Sequence, residues 1–423
     1  MELVRDAEIE DYLYEISSPI FQSSNTSNNS IQFYLVKDNS VNAFVFGGQN
    51  IFVNTGLIES SNNTNMLQGV IAHEFGHIIG AHLLKSQPTM QKAIATYAIA
   101  TLLGVGILAS SQNNSSTNAA IATSMLGQHI AERQMLSFSR SQESEADRYA
   151  LLFMQKSQIS SEGMLELFTK LESIQNKYTK EIDKYSITHP LTTNRISYFK
   201  SHTFTGIKTQ ENLSRKHFFI QAKILAHSGN NTIHTNSHII LTHPEYKSYY
   251  LTHQNLLENK HKIALFHIKN LLKLYPNNPY FHETIATIYT NITNYKKAKH
   301  HFEIAINLSQ NQFIMQEYAT FLIKNFETTP EINQGIIILE NLKNTKENSP
   351  ILYQNLQYAY SKLNLKEYYL ISKIEEITLF NEPTTENKTI ITNHTEELKS
   401  ILQKKPNNII TERLKRIQKL HEK

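Results

Sequence analysis

The sequence predicts two structural classes in one chain. Residues 1–205 read as an α+β domain, mostly helical with a small sheet, and residues 206–423 as an all-α domain of stacked helix pairs. Three observations predict this. Between Ile31 and Thr55, short β-branched and aromatic runs are broken by Gly47-Gly48, which is a strand-and-hairpin pattern. Around it, apolar residues recur at helical spacing. Beyond residue 206 the strand pattern is lost, and Ala264 and Ala298 stand 34 residues apart, the tetratricopeptide period.

At 423 residues the chain is long enough for two or three domains, each with its own core. A formal charge of +4 is small for this length, and no basic stripe with interleaved aromatics occurs, so nucleic acid is not an implied partner. There is no cysteine, so the fold uses no disulfide and any metal is held without thiolate. Asparagine-rich stretches at Ser23–Ser30 and Gln112–Asn118 read as loops.

In chain order, Met1–Ala7 runs into a first helix without a charged n-region or an apolar h-region. Ile31–Val36 is a short strand. Val41–Phe46 and Ile51–Thr55 form a hairpin whose turn is made by the glycines. A helix begins near Thr64 or Asn65, either of which can cap it. Ala93–Ala109 and Ala119–Leu126 are apolar. The first is about 26 Å long as a helix, slightly short of a bilayer core of about 30 Å, so the pair reads as a helical hairpin beside the site, partly buried and dipping into a membrane surface, with a transmembrane pair as the alternative. Two more helices follow, one around Glu143–Phe153 and one over Glu162–Tyr178, and Ser201–Asn212 reads as the linker.

The chemistry lies in the helix after Thr64, where Val70-Ile71-Ala72-His73-Glu74-Phe75-Gly76-His77 contains H-E-x-x-H. Residues four apart share a helix face, so His73 and His77 can present two imidazoles to one metal ion. Glu74 stands about 100° further round, within reach of a water at that metal without being a ligand. Zinc suits such a site, because three protein ligands leave one position open. Gly76 in mid-helix costs about 1 kcal/mol against alanine, which points to another backbone passing close by. Downstream, Glu143 and Asp147 are again four apart. One carboxylate can bind the metal while the other accepts the N–H of a ligating histidine. Taken alone, Glu143, Glu145 and Asp147 read as a solvated acidic face; paired with H-E-x-x-H, they read as ligand and support. His82 and His129 read as structural or surface histidines rather than ligands.

These motifs carry a resemblance. His73-Glu74-Phe75-Gly76-His77 with Ser139-Arg140 through Arg148 (S-R-x-x-E-x-E-A-D-R) resembles the zinc metallopeptidases related to HtpX and to the CAAX-prenyl proteases. Thr188-His189-Pro190-Leu191 to Arg195, and the helical second half, narrow it to a similarity with the BepA-like β-barrel assembly-enhancing proteases of the bacterial periplasm. The resemblance implies a zincin-like metallopeptidase domain followed by a tetratricopeptide-repeat solenoid. One Zn2+ is then held by His73, His77 and Glu143, with Glu74 as general base and Asp147 orienting His73. Arg195 or another cation near His189 steadies the oxyanion, and His189 can fill the metal's fourth position and displace water. The Ala43–Phe46 stretch matches the strand that holds extended substrate in such peptidases. Family members often have proline where Phe46 stands.

The resemblance also implies protein substrates that are misassembled outer-membrane proteins, the β-barrel assembly machinery as partner, and peripheral membrane contact. Localisation is then periplasmic, with a signal peptide upstream of the given start, or cytoplasmic if Met1 is the true start. The competing reading is a non-proteolytic chaperone or adaptor whose peptidase site is mostly closed.

In the second half, Ala286, Tyr289, Ala298, Phe302 and Ala305 occupy the small and large positions that lock a repeat's two helices, and Pro276 closes the preceding unit. Glu317–Phe326 with Gln334–Leu342, and Leu352–Leu363 with Lys366–Glu376, read as further pairs. Phe218–Ala226 and Tyr249–Leu257 cap the front; Glu396–Lys404 and Thr411–Leu420 cap the back.

Overall fold

The computed structural model describes residues 2–27, 30–82, 140–177, 189–207, 209–228, 237–345, 348–381 and 383–421. The expected apolar hairpin at Ala93–Leu126 and His129 lie outside the described residues. By compactness the chain divides into two units, Met1–Leu257 and Glu258–Lys423.

The first unit contains a four-stranded sheet in the order β1-β2-β4-β3. β1 (Leu3–Val4) pairs antiparallel with β2 (Gln32–Val36), a short strand that the sequence reading runs straight into the first helix. β2 pairs parallel with β4 (Asn50–Asn54), and β4 pairs antiparallel with β3 (Ala43–Val45). Gly47 and Gly48 supply the two positive φ angles, 64° and 102°, that the hairpin turn requires. Phe46 N–H donates to Asn50 O at 3.2 Å, a bond that proline at this position could not make.

Strand alternation puts Phe33, Leu35, Ile51, Val53, Ala43 and Val45 into the core beneath α1 (Ala7–Gln22). Asp6 caps α1 by accepting from Ile9 N. α2 (Thr55–Ser60) follows β4, and α3 (Thr64–Ile79) carries H-E-x-x-H through the centre of the unit. Its cap is Asn63, one residue ahead of the expected candidates. Asn63 has an extended backbone, and its side chain accepts from Met66 N at 2.9 Å. α4 (Arg140–Lys156) and α5 (Glu162–Lys177) both pack on α3. A Cβ at Gly76 would stand 2.7 Å from Ala146 O of α4, so glycine is what lets the two backbones approach.

α6 (Thr193–His202) begins at a Thr192 cap. The segment expected to be a linker is fastened to this unit: Ile207 N–H donates to Gln158 O at 2.8 Å, and Phe204 pairs with Ser161 through backbone and hydroxyl. α7 (Glu211–His227) then packs on α1, α2 and α3, with α8 (Ser237–Thr242) and α9 (Pro244–Leu257) against it. Buried Gln221 donates to the carbonyls of Ile58 and Ser61. Buried His217 meets Tyr12 Oη at 2.8 Å and Ser61 O at 3.1 Å. Residues expected to cap the second domain thus pack within the first compact unit, Met1–Leu257.

The second unit is helical throughout its described residues: α10 (His261–Leu274), α11 (Pro279–Asn291), α12 (Tyr295–Ser309), α13 (Gln312–Asn325), α14 (Thr329–Leu342), α15 (Pro350–Lys362), α16 (Lys366–Phe380), α17 (Thr385–Lys404) and α18 (Asn408–His421). Consecutive helices pair, α11 with α12, α13 with α14 and α15 with α16. Ala264, Ala286, Ala298 and Ala305 are fully buried, with Tyr289 and Phe302 beside them. Arg413 of α18 forks onto Glu375 of α16 at 2.8 and 2.6 Å and reaches Glu340 of α14 at 3.2 Å.

Candidate metal centre

α3 brings His73, Glu74 and His77 to one buried point, and α4 brings Glu143 and Asp147 opposite them. The loop before α6 adds His189, and α6 adds Arg195; all of these side chains are within 2% of full burial. Nε2 of His73 lies 3.1 Å from Nε2 of His77 and 3.4 Å from Nδ1 of His189. Glu143 approaches His73 at 3.4 Å, His77 at 3.3 Å and His189 at 3.1 Å through one or other carboxylate oxygen. His73, His77, Glu143 and His189 therefore present four donor atoms within 4.8 Å of one another. A tetrahedron with metal–ligand distances of roughly 2.0–2.1 Å has edges of roughly 3.3–3.4 Å, and the spacings of His73 from His77 and His189, and of Glu143 from all three histidines, lie close to that.

Hydrogen-bond partners fix the tautomers. Nδ1 of His73 is 2.9 Å from Asp147 Oδ1, an acceptor, so the proton sits on Nδ1 and the Nε2 lone pair faces the centre. Nε2 of His189 is 3.2 Å from Ala43 O, so its proton sits on Nε2 and the Nδ1 lone pair faces the other donors. Asn42 O is taken by Asn54 N at 3.0 Å, which by strand alternation turns Ala43 O away from β4 and onto the open edge of the sheet.

The electrostatics suit a cation. Burial pushes His77 well below the usual histidine range, keeping it the neutral imidazole that a ligand must be. Burial opposes ionisation of Glu143, but His189, His73 and His77 hold it well below the usual carboxylate range. Burial likewise opposes charge on His73, yet Asp147 and Glu143 raise it, so cation binding there displaces a proton. Glu74 is different. Burial pushes its carboxyl up to about 8, against the pull of His189. Neither of its oxygens completes a hydrogen bond to a described residue, though Oε1 is 3.3 Å from Nε2 of His189.

Arg195 lies against both Asp147 and Glu143. It forks onto Asp147 at 2.6 and 2.8 Å, reaches Glu143 Oε2 at 2.7 Å, donates to Pro190 O at 3.1 Å and lies over the Phe168 ring. His82, expected to be a structural or surface histidine, is buried with Nδ1 2.9 Å from Nδ1 of His77. Its only local signal is Gly80, which ends the helix and lets the chain turn back.

Helix-borne imidazoles, a carboxylate from a facing helix and a buried acid set beside them are the equipment of a metallopeptidase, and the N-terminal half of the chain is a domain of that class. Residues 5–203 match peptidase family M48, so the chain carries an M48 peptidase domain.

Its similar relatives include a protein named β-barrel assembly-enhancing protease in Yersinia pestis, 28% identical over 196 residues, which are 46% of this chain and 39% of the relative. Two from Escherichia coli are metalloprotease LoiP, 33% identical over 34% of this chain and 51% of the relative, and metalloprotease YcaL, 27% identical over 43% and 66%. The match thus spans 39% of the length of the β-barrel assembly-enhancing relatives.

Proposed function

We propose that the chain is a zinc-dependent endopeptidase in which His73, His77 and Glu143 hold the metal. The observation that carries this reading is the convergence of four buried donor atoms within 4.8 Å of one another beside a fully buried Glu74. A bound zinc ion supplies Lewis acidity, polarising a carbonyl and bringing the pKa of a water to roughly 7. Glu74 takes a proton from the attacking water and delivers it to the leaving amine. Asp147 keeps His73 in its ligating tautomer. Arg195 acts as a positioning residue that holds Asp147, Glu143 and the His189–Pro190 loop together. Substrate adds as an extended strand along β3, where main-chain hydrogen bonds hold it irrespective of sequence.

The second unit is, in this reading, a tetratricopeptide-repeat solenoid that recruits protein. Support comes from paired helices with buried alanines 34 residues apart. The names of the relatives extend the proposal to a role in β-barrel assembly; the resemblance of the motifs adds to the proposal a periplasmic location, misassembled outer-membrane proteins as substrates, the β-barrel assembly machinery as partner and peripheral membrane contact. The test is metal analysis together with hydrolysis of an unfolded outer-membrane protein. Wild type is expected to carry one zinc per chain and to cleave. Glu74→Gln should keep the zinc and lose cleavage by about 10²-fold or more, whereas Glu143→Ala should lose the zinc. Cleavage by Glu74→Gln at the wild-type rate would refute the assignment.

A second reading, a chaperone-like protein whose site is mostly closed, is favoured by one observation: Nδ1 of His189 occupies the fourth donor position. A four-ligand site is closed until one ligand leaves. His189 also holds the Ala43 carbonyl that a substrate strand would use, so strand addition and His189 compete, and substrate itself favours the open state. His189→Ala should therefore keep zinc and cleave faster, including itself. A fall of about 10²–10³-fold would instead assign His189 to the oxyanion.

A further inference from the structure

Behind His77 lies a row of side chains that the reaction scheme does not use. α3 ends at Ile79, Gly80 follows, and Ala81 takes a φ of 51°, which returns His82 over the last helical turn. The His82 ring is completely buried, 4.9 Å from the His77 ring and at 78° to it. Its Nδ1 is 2.9 Å from His77 Nδ1, and its Nε2 is 3.2 Å from Glu145 Oε2. Gln142 of α4 donates to His82 O at 3.2 Å, fastening the turn. Space for the ring exists because residue 80 is glycine; a Cβ there would collide with His82 Nε2.

We propose that His82 and Glu145 are positioning residues of the metal centre, a carboxylate–imidazole–imidazole line that fixes the tautomer and ring plane of His77. This rests on the metal-centre reading above. The tautomers follow one from another. Nε2 of His77 faces the other donors and must offer its lone pair, so the His77 proton sits on Nδ1. That proton points at His82 Nδ1, which must then accept, leaving the His82 proton on Nε2, 3.2 Å from the Glu145 carboxylate. Asp147 performs this service for His73 directly. For His77 the carboxylate is one imidazole further away, because His82 stands between. Partners of this kind tune metal affinity as well as orientation.

A packing role and a positioning role differ in chemistry. Leucine at 82 fills space but cannot accept from His77, whereas glutamine can. The experiment measures zinc dissociation constants of the full-length protein by competition with a chromophoric chelator. Absorption spectra of the cobalt-substituted forms report ligand geometry, and thermal melts of the metal-free forms report folding. His82→Leu should bind zinc about 10- to 100-fold more weakly and alter the cobalt spectrum, with the metal-free melt unchanged. His82→Gln should recover most of the affinity. Glu145→Ala, at a side chain 34% exposed, should weaken binding by a smaller factor.

Should His82→Leu fail to fold, Glu145→Ala decides: weaker binding supports the line, and unchanged binding overturns it. Wild-type affinity and spectrum in both variants would overturn the proposal while leaving the metal site intact. A wild-type protein that takes up no zinc would instead refute the metal-centre reading, and this inference with it.

Discussion

The residue that binds the site together is Arg195, which touches two of its three buried acids, Asp147 and Glu143, and a carbonyl of the loop carrying His189. Asp147 is held below the usual carboxylate range: burial opposes its ionisation, but Arg195 and His73 outweigh that. The guanidinium therefore stabilises the two charges, on Asp147 and Glu143, that would otherwise be unfavourable at full burial. Removing it leaves them uncompensated. Arg195→Leu should destabilise the metal-free protein by about 3–5 kcal/mol in urea unfolding, and Arg195→Lys by less, since it keeps the charge and loses the fork. A catalytic oxyanion donor would leave unfolding untouched and change turnover alone, so an unaltered urea midpoint in Arg195→Leu would return the residue to that role.

Among elements, α7 shows how a helix is captured by buried polar side chains as well as apolar ones. Burial pushes His217 down to about 4, and burial pushes Glu59 of α2, the helix it packs on, up to about 7. Their effects on stability oppose each other. The folded His217 binds its proton less readily than the unfolded chain does, so its contribution is complete above 6.5 and is lost as pH falls towards 4, up to about 3 kcal/mol in all. The folded Glu59 binds its proton more readily, so its contribution is complete below 4.5 and is lost as pH rises through 7. Between these limits the two slopes offset. His217→Gln should leave a protein that, relative to wild type, gains stability from about pH 7 to about pH 5, and Glu59→Gln one that loses it more steeply. Urea midpoints of chelator-treated protein check both; parallel curves for wild type and both variants would mean that neither group is coupled to folding.

Over the whole molecule, the two compact units meet in sequence at Leu257 and Glu258. No helix among the described residues is long and apolar enough to cross a membrane. The second unit has its own core clusters, such as Ala319, Leu339, Leu352 and Tyr360, and Leu370, Ile374, Leu398 and Leu414. A fragment of residues 258–423 should therefore be helical by circular dichroism and melt cooperatively. One of residues 206–423 should share that melt while exposing the face of α7 that carries Ile220 and Ile224, and so self-associate more readily. A 258–423 fragment without a cooperative melt, beside a 206–423 fragment that has one, would restore the junction to 205.

Sequence alone determined which side chains could act together wherever one helix carries them. His73, Glu74 and His77 follow from a spacing of four with an acid between, and Glu143 with Asp147 from the same rule, because helix geometry converts spacing into direction. It also marked Gly76 as a place of close approach and Gly47-Gly48 as a turn, since only backbone geometry explains glycine there. What crosses between elements was decided by the tertiary structure. Asn63 rather than Thr64 caps α3 because its side chain, not its rank in the pattern, reaches Met66 N. Arg195 turns onto Asp147 and Glu143, His82 folds back behind His77, and α7 joins the first unit through Gln221 and His217. In a linear pattern each of these is a polar residue that water could satisfy. Burial removes the water, and the partner is then whichever donor or acceptor the packing of distant elements has brought within about 3 Å.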